Sequence, residues 1–147
     1  MKYITGFLMA VLFVAFLSDV SYAGGNQNEK VISSQSTVSS LLNGLHSENL
    51  GLKTSSVFMI GELQISEAII PLMKILRDDE NVEARISAAL ALYKIGSPMS
   101  INAVKQSIKF DESERVSKLC ANFYNDYQRK KIIDEETNET VSDIALK

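Results

Sequence analysis

The sequence predicts an all-α protein, a short α-solenoid of stacked antiparallel helical hairpins. Three observations lead there. The chain matches itself at a spacing of 32 residues. Within each unit, apolar residues recur every three or four positions, which places them on one helical face. The units are separated by residues that start and stop helices, and no apolar-polar alternation lasts long enough to argue for a sheet.

The repeat is clearest around residues 84–98. Ala84-Arg85, Ala88-Ala89, Ala91-Leu92 and Ile95 follow at a fixed offset from Leu52-Lys53, Ser56-Val57, Met59-Ile60 and Leu63. The same offset leads on to Val116-Ser117, Cys120-Ala121, Phe123-Tyr124 and Tyr127. The second halves correspond too: Ala68-Ile69, Leu72 and Leu76 with Ser100-Ile101, Val104 and Ile108. Upstream, Thr37-Val38, Leu41-Leu42 and Leu45 repeat that second half. Self-similarity at this period is the mark of a repeat architecture.

The spacing predicts helices over 37–46, 51–63, 66–77, 82–95, 98–109 and 112–128. Gly96 suits the left-handed position after one helix, Ser97 the cap of the next and Pro98 its first turn. Asn81 with Glu83 marks another start. Asp111 with Glu114 three residues later has the form of a capping box. These helices make about two full repeats plus half-repeat caps, the 37–46 helix at one end and the aromatic helix of Phe123, Tyr124 and Tyr127 at the other. A hairpin of this kind cannot bury its apolar face alone, so stacking makes the core. The alanines at 84, 88, 89 and 91 serve close packing between hairpins.

These residues carry a family resemblance. Arg85-x-x-Ala88-Ala89-x-Ala91-Leu92-x-x-Ile95-Gly96-x-Pro98 resembles the HEAT repeat of the phycobilisome-lyase type. The likeness covers about Thr37 to Tyr127. It is weaker outside the central repeat: Ser66 stands where Pro is usual, and Phe123 and Tyr124 replace Ala and Leu. The resemblance implies that Lys53 and Arg85, at the Arg position of the repeat, pair with acidic turn residues, for which Asp79 and Asp111 are the candidates.

Three segments lie outside the repeats. Residues 1–23 have the layout of a cleaved signal peptide: Lys2, an apolar run from Tyr3 to Leu17, then Ser21-Tyr22-Ala23 before the cut. That run of about 15 residues is shorter than the ~20 of a membrane-spanning helix, which argues against an anchor. Residues 24–36, rich in Gly, Asn, Gln and Ser, read as a flexible leader before a repeat domain over 37–128. Residues 129–147 read as a polar C-terminal tail containing a glycosylation sequon at Asn138. The expected address is therefore exported, either periplasmic or secreted.

Composition narrows the function. The 147 residues are 46% apolar with net charge −3. That is ordinary for one globular domain, and it offers nucleic acid no basic field. One His and one Cys cannot build a His/Cys metal site or an intrachain disulfide. His46, followed by Ser47, likewise lacks the several His-Glu pairs with which the deoxyhypusine hydroxylases of this repeat class hold iron. It is expected to sit at a helix end, and Cys120, equivalent to Ala88, to be a small buried hydrophobe. Asp78-Asp79-Glu80 lacks the glycine and ligand spacing of a calcium loop and reads as a solvated turn. No nucleophile motif accompanies the serines. No catalytic, cofactor or metal residue is assigned.

What remains is a surface. The second helix of each hairpin lines the inner face of a solenoid. There Ile70, Lys74, Arg77, Asn102, Lys105 and Lys109 form a mildly basic candidate strip for a protein or peptide partner. The expected function is a non-catalytic exported adaptor or scaffold, with no membrane span once the signal is removed. Two alternatives stand beside it. One is an accessory lyase handling a chromophore or small ligand. The other is a structural module that homo-oligomerises through exposed stack ends.

Overall fold

The computed structural model describes the backbone of residues 27–145 and the side chains of residues 35–137. The chain divides into two compact units, Met1–Ser34 and Gln35–Lys147. Of the first, the described part is 27–34, all helical. The second unit holds the helical stack. The segment read as a signal peptide and the side chain of Asn138 lie outside the described residues.

Among the described residues there is no strand. Six α-helices follow in order: α1 (Gln27–Gly44), α2 (Leu50–Glu62), α3 (Ile69–Asp78), α4 (Val82–Ile95), α5 (Pro98–Phe110) and α6 (Glu114–Ala145). As the repeat predicts, first helices stack on first helices, α2 on α4 and α4 on α6, while α3 lies beside α5. The central helix α4 touches α2, α3, α5 and α6. Its buried face is Ala84, Ala88, Ala89, Ala91 and Leu92. The small residues let the neighbour come close. A Cβ placed on Gly61 of α2 would lie 2.9 Å from the Cα of Ala91, so only glycine permits that crossing. Leu45, 3% exposed, closes the near end of the core with Val38, Leu41 and Leu42 packed against it. Val116, Cys120 and Phe123 close the far end.

The caps explain the boundaries. Asn49 accepts from the Leu52 amide at 3.0 Å to start α2, and Asn81 accepts from Glu83 and Ala84 to start α4. Ser97 accepts from Ser100 at 3.1 Å, with Pro98 in the first turn of α5. Gly96 ends α4 in the left-handed region at φ 67°. One repeat earlier the equivalent residue is Gln64, at φ 50°. That side chain offsets its strain by donating from Nε2 to the Lys94 carbonyl at 3.1 Å. The amides of Gln64 and Ile65 donate back to Gly61 and Ile60, closing α2 with a Schellman motif.

Four expectations need correction. The helix expected over 66–77 is a 3-10 turn, Ser66–Ala68, followed by α3. Pro71 has no N–H to give the Glu67 carbonyl, so regular helix starts later. The leader expected over 24–36 is helical from Gln27 onward. No Gly or Pro stands between 26 and 43, and a helix held by Val38, Leu41 and Leu42 continues upstream. The last helix does not stop at 128 but runs through the expected tail to Ala145. The chain contains no Gly or Pro after Pro98, and one-turn ion pairs such as Lys130–Asp126 at 2.9 Å and Lys131–Glu135 at 3.7 Å support the extension. Asp111 does not open a capping box. Its carboxylate accepts from the Ser113 amide at 2.8 Å, and the helix begins at Glu114.

Asp111 serves the stack instead. Arg85 grips it with two bonds of 3.0 Å, and Lys53 meets Asp79 at 2.7 Å in the preceding repeat. Both expected pairs therefore form, each spanning 26 residues. In the next unit Ser117 takes the same place and donates to the Ile108 carbonyl at 2.6 Å. A second ladder, spaced by 32 residues, joins Glu62 to Lys94 and Glu83 to Arg115.

The Asp79 pair has a pH consequence. Burial works to raise the carboxyl, but the Lys53 ammonium and the Asn81 amide outweigh it and hold Asp79 below the usual carboxylate range. A depressed folded value means stability that is present above the unfolded value, about pH 3.9, and lost as pH falls through the folded one. Asp79→Asn should cost on the order of 1 kcal/mol at pH 7 and nothing well below pH 3. Urea denaturation across that range tests it; an unchanged deficit at low pH would remove the charge from the account.

Candidate functional site

Helices α3 and α5 run side by side on one face of the stack, and their outer side chains enclose a groove of about 590 Å³. Met73 and Leu76 of α3 and Ala103 and Ser107 of α5 supply its inner lining, while Ile70 and Phe110 stand at its edges, 64% and 75% exposed. Both edges of the groove therefore hold a large apolar side chain in solvent. Two cations overlook it. Lys74 is exposed. Arg77 is braced by Asp78 through bonds of 2.7 and 2.9 Å, which raise the pKa of the guanidinium and lower that of the carboxyl. Asp111 borders the groove, yet its charge is spent on Arg85.

Ile70, Lys74, Arg77 and Asn102 of the expected strip meet at this groove. Lys105 does not. Its ammonium sits over the Tyr124 ring of α6, 5.4 Å from the centroid. Lys109 is exposed but is not among the lining residues. Sequence reasoning missed Phe110, Met73 and Gln106. For Phe110 a signal existed: it breaks the repeat, standing where the preceding hairpin has Asp78.

These repeats decide the family. The profile of HEAT repeats matches residues 38–122. The chain belongs to the HEAT-repeat family. The match spans the last part of α1, all of α2 through α5 and the first turns of α6. HEAT repeats commonly mediate protein–protein interaction, so an open groove between second helices is where function is to be sought. No curated protein is significantly similar to the chain.

Among the described residues no three His, Cys, Asp or Glu side chains are grouped to hold a metal. His46 is exposed in the turn after α1, beside a shallower groove of about 260 Å³ shared with Lys53, Pro71 and Lys74. Cys120 is wholly buried, and burial, aided by Asp111, pushes its thiol up to about 12. Such a thiol is a core hydrophobe and not a nucleophile at neutral pH. Asp79, read as part of a solvated turn, is instead 12% exposed and structural. No helix among the described residues is long and apolar enough to cross a membrane.

Proposed function

We propose that this protein is a non-catalytic exported adaptor that holds a protein or peptide partner in the groove between α3 and α5. The observation that carries the reading is the groove itself, with two exposed apolar anchors, Ile70 and Phe110, beside the cations Lys74 and Arg77. A partner segment with an apolar side chain next to a carboxylate fits that arrangement. Interfaces draw most of their energy from a few such anchors. The phycobilisome-lyase likeness in residues 85–98 falls on positions that build the stack, so it supports the architecture and not chromophore handling. Export rests on the pattern of residues 1–23, and a net charge of −3 speaks for protein rather than nucleic acid partners.

The test is affinity capture from the exported fraction of the source cell, with Phe110→Ala, Lys74→Glu and Lys109→Glu variants beside the wild type. Losing a buried aromatic anchor costs about 2 kcal/mol, roughly thirtyfold in affinity. We expect Phe110→Ala and Lys74→Glu to lose the partner and Lys109→Glu, outside the groove, to keep it. Equal recovery by all three variants would put the interface elsewhere. A small apolar molecule retained instead of a protein would favour a ligand-handling role.

A further inference from the structure

A second surface lies on the extension of α6. Residues of this helix up to Gln128 pack against α4 and α5, whereas every side chain from Arg129 to Thr137 is exposed. Lys130 still reaches the Tyr93 hydroxyl of α4, and beyond it the helix continues to Ala145, a further ~22 Å at 1.5 Å per residue. A lone helix of that length is marginal in water. This one also holds Ile132 and Ile133 in solvent, 54% and 60% exposed.

The sequence across that point reads Arg129-Lys130-Lys131-Ile132-Ile133-Asp134-Glu135-Glu136: three bases, two isoleucines, three acids. It is complementary to its own reverse. We propose that a second copy of this chain covers the segment, with two α6 helices pairing antiparallel about a twofold axis between Ile132 and Ile133. Arg129, Ile132, Ile133 and Glu136 lie three, one and three residues apart, so they form one stripe along the helix. Antiparallel pairing sets Ile132 against Ile133 and Arg129 against Glu136, twice over, as an isologous interface requires. Parallel pairing would set Arg129 against Arg129 and is excluded by charge.

The geometry of the neighbours leaves this stripe available. Lys130 is turned toward the stack, bound to Asp126 at 2.9 Å with its ammonium 5.1 Å from the Tyr93 ring centroid. Arg129, about 100° round the helix from it, is 73% exposed and only loosely paired to Asp126 at 3.4 Å. A partner of another kind could match the bases or the acids, but the inverted symmetry of the whole octet is accounted for by its own copy. Two or three helical turns from each chain bury less than the roughly 1,200 Å² of a standard stable interface. The dimer is therefore reversible and weakens with salt. It does not depend on the groove between α3 and α5.

Sedimentation equilibrium on the protein as its cell produces it, at low salt and rising concentration, should show monomer passing to dimer. Arg129→Glu alone and Glu136→Arg alone should each associate about tenfold or more weakly, since each sets like charges together at both ends. An equimolar mixture of the two variants should dimerise again, because each supplies the charge the other lacks. Circular dichroism of each variant shows whether the helices are intact, and restored pairing in the mixture cannot come from unfolded chains. Three results would overturn the proposal: a wild type that stays monomeric throughout, variants that associate as the wild type does, or a mixture no better than its components. Assembly beyond the dimer would also overturn it, since a twofold pairing closes.

Discussion

Arg85→Ala is expected to destabilise the domain by about 3–5 kcal/mol, the range for removing one partner of a buried ion pair. The guanidinium does three things at once. Its Nε and Nη2 hold both oxygens of Asp111 at 3.0 Å, while Nη1 donates to the Asp79 carbonyl at 2.8 Å. It thus ties the loop before α4 to the loop after α5. The side chains are only 12% and 5% exposed, so truncation leaves a carboxylate in a poorly hydrated place with the Ser113 amide as its remaining donor. The hydrogen bonds to Asp111, and its charge, also raise the Arg85 pKa further, so the cation persists at every accessible pH. Arg85→Lys should recover only part of the loss, because a point charge cannot bridge both oxygens and a carbonyl. Lys53→Ala, in the pair of 20% and 12% exposure, should cost on the order of 1 kcal/mol. Urea denaturation of the three variants makes the comparison. A loss for Arg85→Ala no greater than for Lys53→Ala would mean that water, not protein, already solvates Asp111.

That pair was legible through the family resemblance, which implies an acidic turn partner for the Arg position, and the repeat then extends the expectation to both Lys53–Asp79 and Arg85–Asp111. For α4 the spacing alone was enough, and the observed bounds are those it predicts. Gly96 declared itself, since it is the residue that takes a left-handed turn without cost. Gln64 did not; only the fold supplies the Lys94 carbonyl that makes its φ of 50° tolerable. Where the repeat ends, prediction loses its lever. The outer parts of α1 and α6 are polar, and polarity says nothing about whether a chain is coiled or helical once breakers are absent. Lys105 shows the limit for the site. A long, flexible side chain can reach a neighbouring helix, and here the Tyr124 ring draws it away from the groove its Cα position suggests. Phe110 shows the converse: an apolar residue at a position where the preceding hairpin has Asp78, it stands at the edge of the groove.

Leu92→Ala should cost about 2–5 kcal/mol, the transfer of the lost methylenes plus the cavity they leave. Leu92 is wholly buried on α4, and α4 is the helix that every later element of the stack leans on. The buried cluster it belongs to also holds Val57 and Ile60 of α2, Leu72 and Leu76 of α3, and Val104 of α5. These cannot collapse into the space without separating the two hairpins. In a long solenoid such damage would be local, because each repeat contacts only its neighbours. With two hairpins between end caps there is no intact remainder to survive. The loss should therefore appear as one earlier cooperative transition, against a total stability of roughly 5–15 kcal/mol for a domain. Calorimetry with circular dichroism at the helical band decides it. Two separated transitions in the variant would show that the caps and the outer helices hold without α4, and that the stack is less of a single unit than its contacts imply.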